Sequence, residues 1–452
     1  MKKNEEYIVD IIDNGYEGEG IAKVDNFTIF IPGSIKGEKV KVVIVKVTVS
    51  FAYGKILEIL KQSEDRAINM DCSTYKRCGG CNLRHINYSK TLELKKNTVQ
   101  NLVNKNLKNK LEVKSTIGMD NPFNYRNKAQ YPVGIDKQGN PVIGVFANRT
   151  HDVIEIKECM IQNKQAEKIA KYICEFAKEN GISVYNEKNG KGLLRHIVIK
   201  VGVKTNEIMC VLVLNGREFK NEEGFAKELI SKFPNIKTIV KNINMKNTNV
   251  ILGKENINIY GEGYIYDKLG NYTFKISPLS FYQINPIQTE KLYDLALEKA
   301  ELTRNEILFD LYCGIGTIGI FMANKVKEVY GIEIVEQAIE DAKENCKINN
   351  ITNAQYYAGD TEKLLEDLIK KENIIPDVVV VDPPRKGLDK TTLENINNIE
   401  PKKLIYISCN PATLVRDLSY LEEKYEVKEI QPVDMFPFTS HVETVSVLTL
   451  KK

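Results

Sequence analysis

LIYISCNPATLVRD, residues 404–417, is an apolar run that stops at Ser408-Cys409-Asn410-Pro411. Proline lacks a backbone donor and ends a strand, which places Cys409 where the chain leaves a sheet. A thiol there is either a small core hydrophobe or a nucleophile. A second reactive group lies in FPFTSHVETV, residues 436–445, where Glu443 stands between Val442 and Thr444, close to His441. Burying such a carboxylate is costly unless it is paired or working. Read singly, Glu443 is an ordinary exposed strand residue. On a strand end beside Cys409, it becomes a candidate base.

DLYCGIGTIG, residues 310–319, follows an expected strand and opens a helix. Gly314, Gly316 and Gly319 fit G-x-G-x-x-G, and Glu333 lies 23 residues after Asp310 at the next strand's end. Glycines let a ligand approach the backbone, and the acid can bind ribose hydroxyls. Both NAD and S-adenosylmethionine (SAM) use this geometry, and glycines can also merely pack a helix on a strand. Two features favour SAM: Asp310 precedes the glycines by four residues, and AGD (358–360) and VVVVDPPR (378–385) supply acids at two further strand ends.

Thiol, SAM and carboxylate form a complete set for one reaction. C5 of uracil is a poor nucleophile towards a methyl sulfonium. A thiolate adding to C6 turns the ring into an enolate, whose C5 can take the methyl group. The C5 proton must then leave to a base before the thiolate can be expelled. Methylation of a purine nitrogen would need no cysteine.

Cys72, Cys78 and Cys81 form C-x5-C-G-G-C among nine cysteines in total. An odd count without an export signal argues against a disulfide framework, and clustered thiolates bind soft metals. His85 would complete a zinc site of three cysteines and a histidine, whereas Cys159, in IKECMIQ, would make an all-cysteine site suited to an iron–sulfur cluster. The spacing alone leaves both open, along with three unligated thiols.

These groups must be positioned by a chain of 452 residues, 42% hydrophobic and 27% charged, enough for several cores. No apolar run reaches bilayer length, and MKKNEEYIVD lacks a signal peptide's apolar core, so a cytoplasmic protein is expected. Net charge is +4, yet residues 71–130 hold twelve Lys/Arg against four Asp/Glu. Such a block either grips a polyanion or solvates a face.

Residues 1–60 read as short strands with Gly, Asn and Pro turns, the pattern of a small OB-sized β-barrel. The polar KQSEDRAINMD reads as a linker. In TLELKKNTVQNLVNK, Leu92, Val99, Leu102 and Val103 share a helix face, with lysines elsewhere. RHIVIKVGV and EIMCVLVLNG suggest a hairpin around Lys204-Thr205-Asn206, followed by the helix NEEGFAKELISKF. From residue 281, helices alternate with apolar strands such as EILFDLYCG, EVYGIEI, DVVVVDPP and KLIYISCN. That alternation predicts a parallel sheet with its site at the strands' carboxyl ends.

The chain resembles the RNA (uracil-5-)-methyltransferases, in the branch with an N-terminal TRAM domain and a 4Fe-4S cluster. GEGIAKVDNFTIFIPGSIKGEKV is similar to the TRAM signature and CSTYKRCGGCNLRH to the cluster motif. KGLLRHIVIK, ISPLSFYQIN, DLYCGIGT, VVVVDPPRKGL, ISCNPATLVRD and FPFTSHVETV follow in family order.

The resemblance implies an α/β fold in three parts. These are a TRAM barrel over 1–61, a central α+β iron–sulfur domain over 62–280, and a doubly wound SAM-dependent methyltransferase sheet over 281–452. It implies Cys409 as nucleophile, Glu443 as base, SAM contacts at Gln283, Tyr312, Glu333 and Asp382, and Phe281 stacked on the target base. It implies Cys72, Cys78, Cys81 and Cys159 as cluster ligands, which displaces His85. Two positions depart from the usual family residues: Tyr312 stands where Phe is frequent, and Thr317 where some relatives carry Asn. TRAM and cluster together imply a uridine of 23S rRNA as the target, because the bacterial transfer-RNA branch typically lacks both. The expectation is a monomer that binds RNA and no membrane. A tRNA uridine is the rival substrate; an iron–sulfur or NAD oxidoreductase, or a non-catalytic RNA-binding module, would leave Cys409 and Glu443 unused.

Overall fold

The computed structural model describes residues 1–68, 72–147 and 150–452; the end of the polar stretch KQSEDRAINMD, residues 69–71, lies outside them. Alternating apolar residues over the first sixty positions form six strands, Glu6–Asp10, Asp13–Asn14, Gly20–Val24, Phe27–Ile31, Lys39–Val47 and Phe51–Lys61. Val9, Ala22, Ile29, Ile31, Val40, Val42, Ile44 and Ala52 point inward and are buried together. The sheet curls until Ile12 N donates to Ile21 O at 2.8 Å, bringing the first strand back beside the third. This is the small barrel that the strand pattern predicts.

A seven-stranded mixed sheet follows. It runs in the order Glu255–Tyr260, Ile236–Ile243, Ile208–Leu214, Leu194–Val201, Lys128–Ile135, Pro141–Phe146, Val153–Glu155. Leu194–Val201 and Ile208–Leu214 pair antiparallel around the expected turn, with Asn206 at φ 60°. Both strands are buried at every position because both faces are covered. Ile197, Ile199, Cys210 and Leu212 share a core with the helices Lys164–Glu179 and Glu222–Lys232. Val198, Met209 and Val211 face the other way and share a core with Phe274 and Leu292 of the C-terminal part.

The C-terminal sheet has the order Ala354–Ala358, Glu328–Glu333, Ile307–Leu311, Val378–Val381, Lys403–Ser408, Glu443–Leu450, Tyr425–Val433. The first five strands are parallel, as the alternation predicts. Glu443–Leu450 runs antiparallel to both its neighbours, which the sequence did not reveal. That reversal matters, because it sets the first residue of one strand beside the last residue of another. The strand order reverses between Ile307–Leu311 and Val378–Val381, the switch point where such sheets hold ligands.

The helix Tyr88–Asn106 packs on the C-terminal part, with Val99 and Val103 in a core shared with Leu414 and Leu418. Lys95 departs from the expected pattern of lysines kept off the apolar face. It lies one turn before Val99, is 2% exposed, and donates to Asp434 Oδ1 at 2.5 Å and Phe436 O at 3.1 Å. A partner 339 residues away makes that burial tolerable, and helical periodicity carries no sign of it. Among the described residues, no helix is long and apolar enough to cross a membrane.

Candidate active site

The strands' carboxyl ends surround a cavity of about 820 Å³. Gln283, Tyr312, Glu333, Asp382, Cys409 and Glu443 all line it, and so does Phe281. The seven residues singled out for cofactor, base and chemistry are thus brought to one place.

The glycine turn forms one wall. After Ile307–Leu311 the chain turns through Tyr312, Gly314 and Gly316, all at positive φ (65°, 55° and 78°), into the helix Thr317–Ala323. Asp310 braces this turn from below, accepting from Gly319 N at 2.8 Å. A Cβ on Gly319 would stand 2.7 Å from the Tyr356 hydroxyl, so only glycine fits there. Glu333 accepts from Gly314 N at 3.2 Å and from Val335 N at 3.1 Å. Those two donors fix its carboxylate at the cavity's edge. The Tyr312 hydroxyl donates to Asp389 Oδ2 at 3.3 Å, and Thr317 Oγ1 lies 3.0 Å from the Tyr293 hydroxyl.

Cys409 follows Lys403–Ser408 directly, and Asn410 then caps the helix Pro411–Leu421, accepting from Ala412 N at 3.1 Å with proline at the first turn. In the antiparallel register Ser408 pairs with Thr444, so the next residue of each strand brings Cys409 level with Glu443. Asn410 Nδ2 and Thr413 Oγ1 both donate to Arg385 O, at 3.0 and 3.3 Å, tying the DPPR segment to the cysteine turn.

The electrostatics of this corner are those of a dry acidic pocket. Glu443 is 4% exposed, and burial with the Asp382 charge pushes its carboxyl up to about 8. Burial also raises Asp382 to about 7. The Cys409 thiol is pushed up to about 12 by burial and by Glu443 and Asp382. Arg385 opposes the rise at both Cys409 and Glu443, and the positive end of the helix behind Cys409 also favours a thiolate. Burial and Arg385 keep His441 below its usual value.

Two contributors were missed in the sequence. Arg385 lines the same cavity, where its charge opposes the rise at both reactive groups; its signal was the base following two prolines in DPPR. Lys200 is buried inside an apolar strand and donates to Ser277 O at 2.7 Å and Ser280 O at 3.0 Å. It thereby holds the segment that bears Phe281 and Gln283, whose own carbonyl accepts from Asn127 Nδ2 at 2.9 Å. Burial and neighbouring Lys128 pull Lys200 down to about 7. Phe281 is 69% exposed at the cavity mouth, an unusual setting for a phenylalanine with only a structural role.

Cys78, Cys81 and Cys159 lie near enough to one another and to Cys72 for their charges to interact, and Cys81 and Cys159 pack against the same small cluster of Met119, Tyr125, Ile161 and Phe438. Burial pushes Cys81 to about 12. Among the described residues, no three His, Cys, Asp or Glu side chains converge closely enough for a single metal ion. Next to the thiols, Arg126 Nε and the Tyr131 hydroxyl are buried without a partner, and Gly80 N donates to Cys78 Sγ at 3.3 Å. Buried donors left without a partner beside these thiols would be satisfied by a bulky group carrying acceptor sulfurs. His85 stands apart, with Nδ1 held 2.7 Å from the Tyr75 hydroxyl on the side of Arg66 and Glu38.

The family model described as tRNA (uracil-5-)-methyltransferase matches residues 87–452, and the TRAM domain model matches residues 2–57. A protein of Clostridium acetobutylicum described as an uncharacterized RNA methyltransferase is 48% identical over 449 residues, 98% of this chain and 97% of its own length. One of Staphylococcus aureus with the same description is 44% identical over 452 residues, 100% of this chain and 99% of its own. The crystal structure of Pyrococcus abyssi tRNA (uracil-54, C5)-methyltransferase with S-adenosyl-L-homocysteine matches with a TM-score of 0.80 at 27% identity. That match covers 98% of this chain and 100% of the other.

Proposed function

The chain belongs to the tRNA (uracil-5-)-methyltransferase family, as a SAM-dependent RNA methyltransferase with an N-terminal TRAM domain, and from that premise we propose that it methylates C5 of a uridine in 23S rRNA. The observation that carries the chemistry is Cys409 level with Glu443 on adjacent antiparallel strands at one cavity.

In this reading SAM supplies a methyl group on a sulfonium. The Glu333 carboxylate would accept from the ribose hydroxyls, while Gln283, Tyr312 and Asp382 would complete the cofactor's surroundings. Phe281 stacks on the extruded uracil, offsetting the few kcal/mol that unstacking costs. Cys409, its proton lost to solvent, adds through Sγ to C6; the electron pair moves to C5 and O4, and C5 takes the methyl group as the sulfur–methyl bond breaks and its electron pair leaves with S-adenosylhomocysteine. Glu443 then removes the C5 proton, and the electron pair expels Cys409 as thiolate. Burial raises both groups and so favours their protonated forms in the resting pocket. SAM bound in this cavity would bring a cationic sulfonium, and an opposite charge near Asp382, Cys409 and Glu443 would favour their ionised forms, which would couple cofactor binding to activation of the nucleophile.

The barrel, residues 1–61, and the exposed basic residues of 71–130, which exclude Lys95 and Arg84, grip RNA phosphates, and residues 281–452 carry the chemistry. Within 62–280, Cys72, Cys78, Cys81 and Cys159 hold a 4Fe-4S cluster; the unpartnered Arg126 and Tyr131 donors support this, because they would face its sulfurs. Methyl transfer to uracil involves no electron transfer, so the cluster's part is structural. Protein purified without oxygen should carry iron and sulfide at about four each; stoichiometric zinc would overturn the assignment.

The TRAM signature and the cysteine motif support the 23S rRNA branch through the resemblance described above, while the bacterial relatives at 44–48% identity are described only as RNA methyltransferases. A tRNA uridine is the second reading, favoured by the Pyrococcus enzyme, whose name gives that substrate and whose length the chain matches. Labelled SAM offered with 23S rRNA and tRNA transcripts decides between them. Label at one position of the rRNA is the expected result, and label confined to tRNA would replace it with the second reading.

A further inference from the structure

Three segments far apart in sequence meet beside the cavity: the barrel turn Gly15–Gly18, the loop Cys81–Arg84, and Phe436–His441 ahead of Glu443. Asn82 clasps them. Its Nδ2 donates to Glu17 O at 2.7 Å and to Ser440 Oγ at 2.8 Å, and its Oδ1 accepts from Ser440 N at 2.8 Å. Leu83 N donates to Phe438 O at 3.0 Å, and the Leu83 side chain fills the space where a Cβ on Gly18 would stand. The Arg84 guanidinium lies 4.6 Å from the Phe438 ring centre. Phe438 itself is held at φ 65°, a left-handed conformation that a bulky residue keeps only where its surroundings impose it.

What the clasp positions is Tyr16. Tyr16 is half-exposed and precedes Glu17, whose carbonyl the clasp ties to Ser440, three residues ahead of Glu443. Tyr16 and Ser440 also line a second groove, of about 200 Å³, between the barrel and the helix Tyr88–Asn106. Ser440 lines this groove and the next residue, His441, lines the main cavity, so the two spaces flank one stretch of backbone. Lys36, Lys90, Asn97 and Asn101 border the groove. The lysines sit in surface pairs, with Asp13 at 3.9 Å and Glu93 at 2.8 Å, which are weak and exchange readily for phosphate.

We propose that Tyr16 is a substrate-contacting residue that the N-terminal barrel contributes to the methyl-transfer cleft, stacking on the nucleotide beside the target uridine, and that Asn82 is the positioning residue that keeps it there. This rests on the uridine reading given above. Extruding a base exposes the face of its neighbour, and an aromatic ring lining the groove replaces the lost stack.

The test replaces Tyr16→p-azidophenylalanine in the full chain, traps it on RNA with 5-fluorouridine at the target, and maps the photocrosslink. A crosslink within one or two nucleotides of the fluorouridine is expected; a distant crosslink or none overturns the proposal. In steady state, Tyr16→Ala should raise KM for RNA about five- to 100-fold while kcat stays within about twofold. Tyr16→Phe should keep the wild-type KM. Asn82→Ala should reproduce the KM rise and lose the crosslink with SAM affinity unchanged. A wild-type KM in Tyr16→Ala, or a crosslink unaffected by Asn82→Ala, would sink the pairing. If wild-type protein formed no adduct, the covalent reading would fall, yet the KM comparison would still decide Tyr16.

Discussion

Glu443→Gln is expected to stabilise the protein while stopping its turnover. Burial and the Asp382 charge move the Glu443 carboxyl from 4.5 to about 8 in the folded chain. An acid whose folded value is raised contributes its full stability below the unfolded value and loses it as pH rises towards the folded one. Each unit in that window costs 1.36 kcal/mol, so at pH 7 the wild type carries a penalty of about 3 kcal/mol. Glutamine has the same shape and stays neutral. The variant should therefore be a few kcal/mol more stable near pH 8, with the advantage shrinking by about 1.4 kcal/mol for each unit of acidification. Urea unfolding at pH 6, 7 and 8, compared at equal m-values, reads this directly. In the same variant, methyl transfer should proceed but release of the RNA should slow by about 10²–10⁴, the worth of a positioned base. A variant less stable than wild type across this range would show Glu443 ionised and satisfied in the folded state. Free turnover would show that another group takes the proton.

Other perturbations probe the surroundings. An opposite charge nearby lowers a pKa by about one to three units. Alkylation of Cys409 by iodoacetamide, followed by peptide mass spectrometry, should therefore be at least about tenfold faster with SAM than with its uncharged product; equal rates would contradict the activation step. Lys95→Met leaves Asp434 charged and buried, and should cost about 3–5 kcal/mol, most of it recovered in the Lys95→Met/Asp434→Leu pair; an additive loss in the double variant would refute the pairing. Glu333→Ala should weaken SAM binding by about 10- to 100-fold in calorimetry, and an unchanged affinity would remove Glu333 from the cofactor site.

The parts of the site legible in the sequence were those made by neighbours along the chain. The glycine turn, the acids after each strand and the proline behind Cys409 act over a few residues, and their types state their conformations. The barrel and the parallel strands were legible for the same reason, since alternation and β-branched runs are local. What depended on direction or distance was not. Nothing in ETVSVLTL says that this strand runs against its neighbours, yet that reversal sets Glu443 beside Cys409. Lys95 reads as a surface lysine until Asp434 arrives from 339 residues away. Lys200 and Asn82 act on backbone carbonyls of distant segments, and a carbonyl leaves no mark on sequence.

The central claim is that Cys409 attacks C6 of a uracil in RNA. 5-Fluorouridine cannot lose its C5 substituent as a proton, so an enzyme using this route stalls as a covalent complex. Incubating the protein with SAM and RNA carrying 5-fluorouridine at the target position, then resolving it under denaturing conditions, measures that complex. A band that retains RNA in the wild type, maps to the peptide holding Cys409 and vanishes in Cys409→Ala is the predicted result. An undiminished band in Cys409→Ala would contradict it.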